Sequence, residues 1–279
     1  TAYDTSQLSW KTTANDENIE YGWSTNNNTT SPHMVPTTVT EIKNGFGASD
    51  GMKFSEIIAN SLNSSIFQSL ELTADRSYDF TIHHRGRKGE DTAALFLTKD
   101  TEIDYTQLEG GKDHFALIID WLKEQTQSVT IPAVNKMVHY TVYTTELLEN
   151  SVFKESSTGS CFSFEKTAEH TVKFEVWFMT SPTKDWGEHT DKFVPDSDGT
   201  YLFVLSPVIS KGNANNYNSG NLVDKLSFSY SGGANMLKNP GFESYNFTST
   251  YFQASAANHA TPTASIGWSS KSSDHKVEL

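Results

Sequence analysis

A mostly-β fold, an antiparallel β-sandwich, is what this chain predicts, and three observations carry the prediction. Short runs alternate apolar and polar residues, as where Tyr78, Phe80 and Ile82 interleave with Asp79, Thr81 and His83. That is the period of a strand with one buried face. Clusters of Gly, Asn, Ser, Thr and Pro separate the runs and supply turns. Aromatic residues reach 12% while the aliphatic content is ordinary, which suits a sandwich better than a helical enzyme.

Residues 8–23 (LSWKTTANDENIEYGW) predict two short strands about an Asn-Asp turn. Residues 24–50, rich in Asn, Thr, Pro and Gly, predict loop. Residues 52–58 and 65–72 predict further strands. The stretch 78–97, YDFTIHHRGRKGEDTAALFL, predicts a strand, a charged turn and a second strand. Gly86 and Gly89 bracket Arg87 and Lys88 and permit a tight reversal. Ala93, Leu95 and Leu97 then begin a new alternation. Ion pairs of Arg85 or Arg87 with Glu90 or Asp91 would pin that turn; the other reading makes His83, His84 and Arg85 a polar binding site. Neighbouring strand residues face opposite sides, so His83 and His84 are poorly placed to share a metal.

The pattern changes between about residues 103 and 160. His114, Leu117, Ile118, Trp121 and Leu122 fall at helical spacing, so FALIIDWLKEQ predicts a helix. Residues 144–148 predict a short second one, and residues 138–143 alternate as a strand. Strands resume at 161–164, 171–179, 201–206 and 222–230. The sandwich therefore carries an inserted helical segment. Ser231-Gly232-Gly233 marks a boundary, giving a module over residues 1–232. Beyond it, WSSKSSDHKVEL at 268–279 aligns without a gap on WKTTANDENIEY at 10–21, matching Trp268 to Trp10, Asp274 to Asp16 and Glu278 to Glu20. Residues 233–279 thus predict the opening of a second repeat, which packs back on the sandwich or swaps onto a neighbouring chain. The opening TAYDTSQ reads as a module excised from a longer protein.

Composition excludes several partners. A net charge of −13 argues against nucleic acid, anionic membranes and polyanionic glycans. No apolar run is long enough to span a bilayer. The single cysteine, Cys161, allows neither an internal disulfide nor a cysteine zinc cluster, and reads as a buried thiol. No nucleophile elbow, phosphate loop or zinc-protease motif is present. Asp196-Ser197-Asp198-Gly199 resembles the start of a calcium loop but lacks the acid such a loop needs at its twelfth position. No cofactor or metal is called for, and no carboxylate pair for glycoside cleavage can be singled out.

A neutral partner fits what remains. Sugar rings bind on flat aromatic faces beside amides and charged groups. Trp177, in the doubly apolar run FEVWFM, belongs to the core, and Trp10 and Trp268 recur as structural residues. Trp121 sits on the apolar stripe of the helix, where packing competes with ligand contact. Trp23 opens the polar stretch GWSTNNNTT, Trp186 lies in SPTKDWGEHTD beside Lys184, and Tyr217 lies in KGNANNYNSG beside Asn216. Aromatics in polar loops are candidates for stacking. Trp23, Trp186 and Tyr217 are expected to line one groove.

Several phrases in order carry a resemblance. GNLVDKLSFS at 220–229 is similar to the closing strand of jelly-roll modules, and NMLKNPGFE at 235–243 resembles the opening strand of many carbohydrate-binding modules. With WKTTANDENIEY, HHRGRKGEDTAALFL, FALIIDWLKEQ and FEVWFMTSPTKDWG, the set resembles the starch-binding modules of amylosome scaffoldins and starch-adherence proteins of gut bacteria. The resemblance implies a jelly-roll sandwich that binds starch and maltooligosaccharides without catalysis. It also implies a secreted, multi-modular protein on a bacterial cell surface. Lys225 stands where a second Asp is common in that closing strand, which puts a calcium role there in doubt.

Overall fold

The structure, a computed structural model, describes residues 11–12, 20–23, 49–50, 53–57, 65–100, 114–125, 129–145, 150–155, 161–162, 172–211 and 220–242. The described chain forms β1 (Lys11–Thr12), β2 (Glu20–Trp23), β3 (Lys53–Ile57), β4 (Ile66–Leu72), β5 (Tyr78–Gly86) and β6 (Asp91–Lys99). A helix, α1 (His114–Glu124), follows. Then come β7 (Lys136–Thr145), β8 (Asn150–Glu155), β9 (Cys161–Phe162), β10 (Val172–Ser181), β11 (Gly187–Phe193), β12 (Gly199–Ile209) and β13 (Asn221–Tyr230). They make two antiparallel sheets. One has eight strands in the order β1-β4-β12-β6-β10-β7-β8-β9, the other five in the order β11-β5-β13-β3-β2.

The sheets pack face to face. Phe80, Ile82, Val223 and Phe228 of the smaller sheet meet Leu95, Leu97, Trp177 and Phe203 of the larger in one buried cluster. Trp177 is fully buried, as the doubly apolar run around it predicts. The larger sheet is covered on its other face as well. Phe96, Tyr140, Phe174 and Val204 there pack with Ile118 and Leu122 of α1. That second coat explains why β6 is buried at eight successive positions rather than at alternate ones. Pro207 is tolerated inside β12 because the register against β6 shifts between Pro207 and Ile209.

Three expectations need correction. The strands within 78–97 are not a hairpin: β5 pairs with β11 and β13, whereas β6 pairs with β10 and β12. Turn chemistry sets a reversal, not the sheet that receives the next strand, and this turn carries the chain across the sandwich. Likewise β1 pairs with β4 and β2 with β3, so the two strands within 8–23 lie in different sheets. The polar stretch SPTKDWGEHTD is loop only as far as Trp186. Gly187, His189 and Phe193 turn inward and Glu188, Thr190 and Lys192 outward along an edge strand, whose charges suit a sheet edge.

The helix forms where its spacing predicts. Of the second helix expected at 144–148, Thr144 and Thr145 instead end β7, and residues 146–148 lie outside the described residues. The stretch 103–160 supplies α1 and also β7 and β8, which are pairing strands of the larger sheet. Past the turn at 231–233, Leu237 and Phe242 enter the main core. Asn235 accepts from the amides of Phe228 and Leu237 and donates to the Leu226 carbonyl. Gln68 of β4 closes a double hydrogen bond with the Lys238 backbone, at 2.7 and 2.9 Å. Trp10, Trp268 and the repeat expected at 268–279 lie outside the described residues.

Candidate functional site: the outer face of the five-stranded sheet

Ile57, Ile82 and Val223 point into the core, so their neighbours on β3, β5 and β13 point outward. The register lines those neighbours up. Arg85 lies opposite Leu222, which lies opposite Glu56; His83 lies opposite both Asp224 and Glu188. A sheet face of this polarity would ordinarily meet water. Here Phe54, Glu56, His83, Arg85 and Asp224 are all buried.

Two pieces of chain cover the face. The turn 182–186 is held by Arg85 Nε donating to the Thr183 carbonyl at 2.7 Å and by the Gly86 amide donating to the Pro182 carbonyl at 3.0 Å. Trp186 ends that turn half-buried, its ring edge-on to Phe54 with centroids 6.0 Å apart. The second piece is residues 49–50. The amides of Ser49 and Asp50 both donate to Asp224 Oδ2, at 2.6 and 2.9 Å, and the Ser49 hydroxyl meets His83 Nδ1 at 2.5 Å.

The charges beside this face are internally matched. Arg87 Nη1 donates to both oxygens of Glu56, at 3.0 and 2.8 Å, and the Gly220 amide donates to Glu56 at 2.6 Å. Burial nonetheless raises the Glu56 carboxyl to about 7, against the opposing pull of Arg87. Asp91 accepts from the amides of Arg87 and Lys211, and burial lifts it to about 6. The expected pairing of Arg85 or Arg87 with Glu90 or Asp91 is thus corrected. Arg87 reaches back to β3, Arg85 to the covering turn, and Glu90 pairs with Lys211.

On the inner side of the same strands, His84 is fully buried. Asn221 holds its amide group toward the Ile209 carbonyl and the Ser210 hydroxyl, so its Oδ1 faces His84 Nε2 at 2.8 Å. His84 therefore donates from Nε2, accepts the Ser181 hydroxyl at Nδ1, and leaves the Ser181 oxygen to accept from His189 Nε2. A side chain at Gly187 would strike Ser181 Oγ at 2.7 Å and Asn135 Oδ1 at 2.9 Å, which is why the edge strand starts with glycine.

His83 faces outward. Burial, aided by Lys225, lowers its pKa, so it is neutral at neutral pH. Glu188 Oε2 lies 3.2 Å from its Nε2 but off the N–H direction, and Nε2 has no aligned hydrogen-bond partner among the described residues. Ser49, His83 and Glu188 thereby line up as hydroxyl, imidazole and carboxylate, the order used for nucleophilic attack. The amides of Ser49 and Asp50, which would steady an oxyanion, are already committed to the Asp224 carboxylate, and that charge opposes a developing negative oxygen.

Of the residues singled out from sequence, Trp186 and Lys184 stand on this face's covering turn, Lys184 exposed. Trp23 ends β2 of the same sheet, with its Cα opposite Lys53 and so beside Phe54. Tyr217 and Asn216 lie outside the described residues, but both ends of their loop are anchored here, at Lys211 and Gly220. Trp121 is on the far side of the molecule, edge-on to Phe174 at 6.1 Å, where it helps seat α1 on the larger sheet. Sequence reasoning missed Ser49, Glu56, Glu188 and Asp224, whose partners are remote in the chain. Among the described residues no group of three or more His, Cys, Asp or Glu is placed to hold a metal ion, and no helix is long and apolar enough to cross a membrane. No protein-family model, curated protein or solved structure matches the chain.

Proposed function

We propose that this protein is a non-catalytic carbohydrate-binding module whose ligand is a neutral α-1,4-glucan such as starch. The observation that carries the reading is Trp186. It is a large, half-buried ring on a turn that two hydrogen bonds to backbone carbonyls and Phe54 hold in place. A flat face fixed before binding costs little to order when a sugar stacks on it. Lys184 and Asp185 are exposed beside it and can meet ring hydroxyls. The net charge of −13 favours an uncharged ligand. The setting that goes with this reading is a secreted, multi-modular protein of a bacterial cell surface. The test is depletion of the protein by insoluble corn and potato starch with cellulose as control, then calorimetry with maltoheptaose. Retention on starch alone, lost in Trp186→Ala, supports the reading; equal retention on cellulose, or none on either, removes it.

A second reading, a structural or adhesive repeat, draws on a different observation. Leu237 and Phe242 knit the stretch after β13 into the core, as a stiff rod of modules would require. Failure of the starch test together with binding to a host protein would favour it.

A further inference from the structure

His83 carries the least satisfied polar atom on the outer face. Its side chain is only 10% exposed, its Nδ1 is closed by Ser49, and its Nε2 has no aligned partner among the described residues. Buried nitrogens are seldom left unmet, because they lose water and gain nothing in return. The Glu188 carboxylate beside Nε2 favours the proton on that nitrogen, which makes Nδ1 the acceptor and the Ser49 hydroxyl the donor. Nε2–H is thus a fixed donor, and it needs an oxygen that the protein does not align with it.

We infer that His83 and Glu188 form a subsite for two adjacent hydroxyls of a neutral sugar. The imidazole Nε2–H donates to one hydroxyl oxygen, and the Glu188 carboxylate accepts from the hydroxyl next to it. The 3.2 Å between Nε2 and Oε2 is of the same size as the spacing of neighbouring hydroxyls on a pyranose ring. Glu188 is 62% exposed and free to turn toward a ligand, while Ser49 holds the imidazole still. Trp186 ends the turn that leads into β11, two residues before Glu188, so a ring stacked on the indole presents its edge to this pair. The carboxylates of Glu188, Asp50 and Asp185 oppose uronates and sulfated sugars. The subsite deepens the glycan-binding reading and rests on it, but it does not depend on the glycan being starch.

The experiment titrates the isotope-labelled protein with glucose, galactose, mannose, xylose and glucuronate, and follows the His83 imidazole nitrogens by NMR, assigned with His83→Gln. In parallel, maltoheptaose affinity is measured for the wild type, Trp186→Ala, His83→Gln and Glu188→Gln; the last alters an exposed group and tests the subsite if His83→Gln folds poorly. A neutral sugar should shift Nε2 while glucuronate does not, and Glu188→Gln should weaken maltoheptaose binding about tenfold. No shift of Nε2 with any neutral sugar, or an equal shift with glucuronate, overturns the subsite. So does loss of maltoheptaose binding in Trp186→Ala with Glu188→Gln unchanged, which leaves the module reading standing. A shift with galactose alone and no retention on starch keeps the subsite and discards the α-glucan.

Discussion

His84 and His189 share one hydroxyl: Ser181 Oγ lies 2.9 Å from the first ring and 2.8 Å from the second. The hydroxyl can donate to only one of them, so the two rings are locked into a single direction of hydrogen bonding, with Asn221 fixing the far end. His84 cannot take a proton at Nδ1 without turning that chain against itself.

Acid should therefore destabilise the fold through these rings. Burial lowers His84 to about 3, helped by His189, and His189 to about 4, helped by His83. In the unfolded chain a histidine takes its proton near 6.5. Between that value and about 4 the unfolded state binds more protons, so the contribution of these rings is full above 6.5 and is lost as the pH falls. Glu56 and Asp91 work the other way. Their raised values mean that the folded state takes up protons first, so their part grows as the pH falls from about 7 toward 4.5. Urea unfolding of the wild type and of Glu56→Gln at pH 7.5, 6 and 5 separates the two. Removing the carboxylate should leave a steeper loss toward pH 5.

Ser181→Ala removes the shared hydroxyl and leaves a buried acceptor on His84 and a buried donor on His189 without it. The expected loss of stability is about 1–3 kcal/mol. Equilibrium denaturation with an unchanged slope against urea would read it; a change below a few tenths would contradict the locked chain of bonds.

Arg87→Met should cost about 3–5 kcal/mol, because Glu56 would be left buried and uncompensated. Its side chain is wholly buried while that of Arg87 is 19% exposed. The double variant Glu56→Gln with Arg87→Met should lose less than Arg87→Met alone. A double-mutant cycle in thermal or chemical unfolding measures the coupling.

Leu237→Ala and Phe242→Ala should each cost about 2–5 kcal/mol if the stretch after the 231–233 turn completes the core. Both side chains are buried, at 4% and 1% exposure. Ending the chain at residue 232 should lower the melting temperature by more than either substitution, by calorimetry.

Much of the fold is legible because strands announce themselves locally. The alternation around Tyr78, Phe80 and Ile82 and the helical spacing of Ile118 and Leu122 each match an observed element. What local pattern does not carry is partnership. YDFTIHHRGRKGEDTAALFL has the chemistry of a hairpin, yet its second strand goes to the other sheet. The clue was in the residues, since DTAALFLT lacks the alternation of a strand with one wet face. The site was less legible. Arg85, Glu56 and Asp224 are charged, and charge reads as surface. They are buried because a turn from 182–186 and a segment at 49–50 fold over them, a coverage that depends on contacts between distant parts of the chain. Trp186 could be singled out because an aromatic in a polar run is conspicuous without any partner.

The anchoring of β4 bears on how the module carries load. β1 pairs with it at Ile66 and Phe67, and the next residue, Gln68, clasps the backbone of Lys238. Tension applied between residues 12 and 238 therefore reaches three consecutive positions of one strand of the larger sheet. Residues 235–242 also hydrogen-bond to β13, so the same pull is shared with the smaller sheet, and the two sheets resist it together.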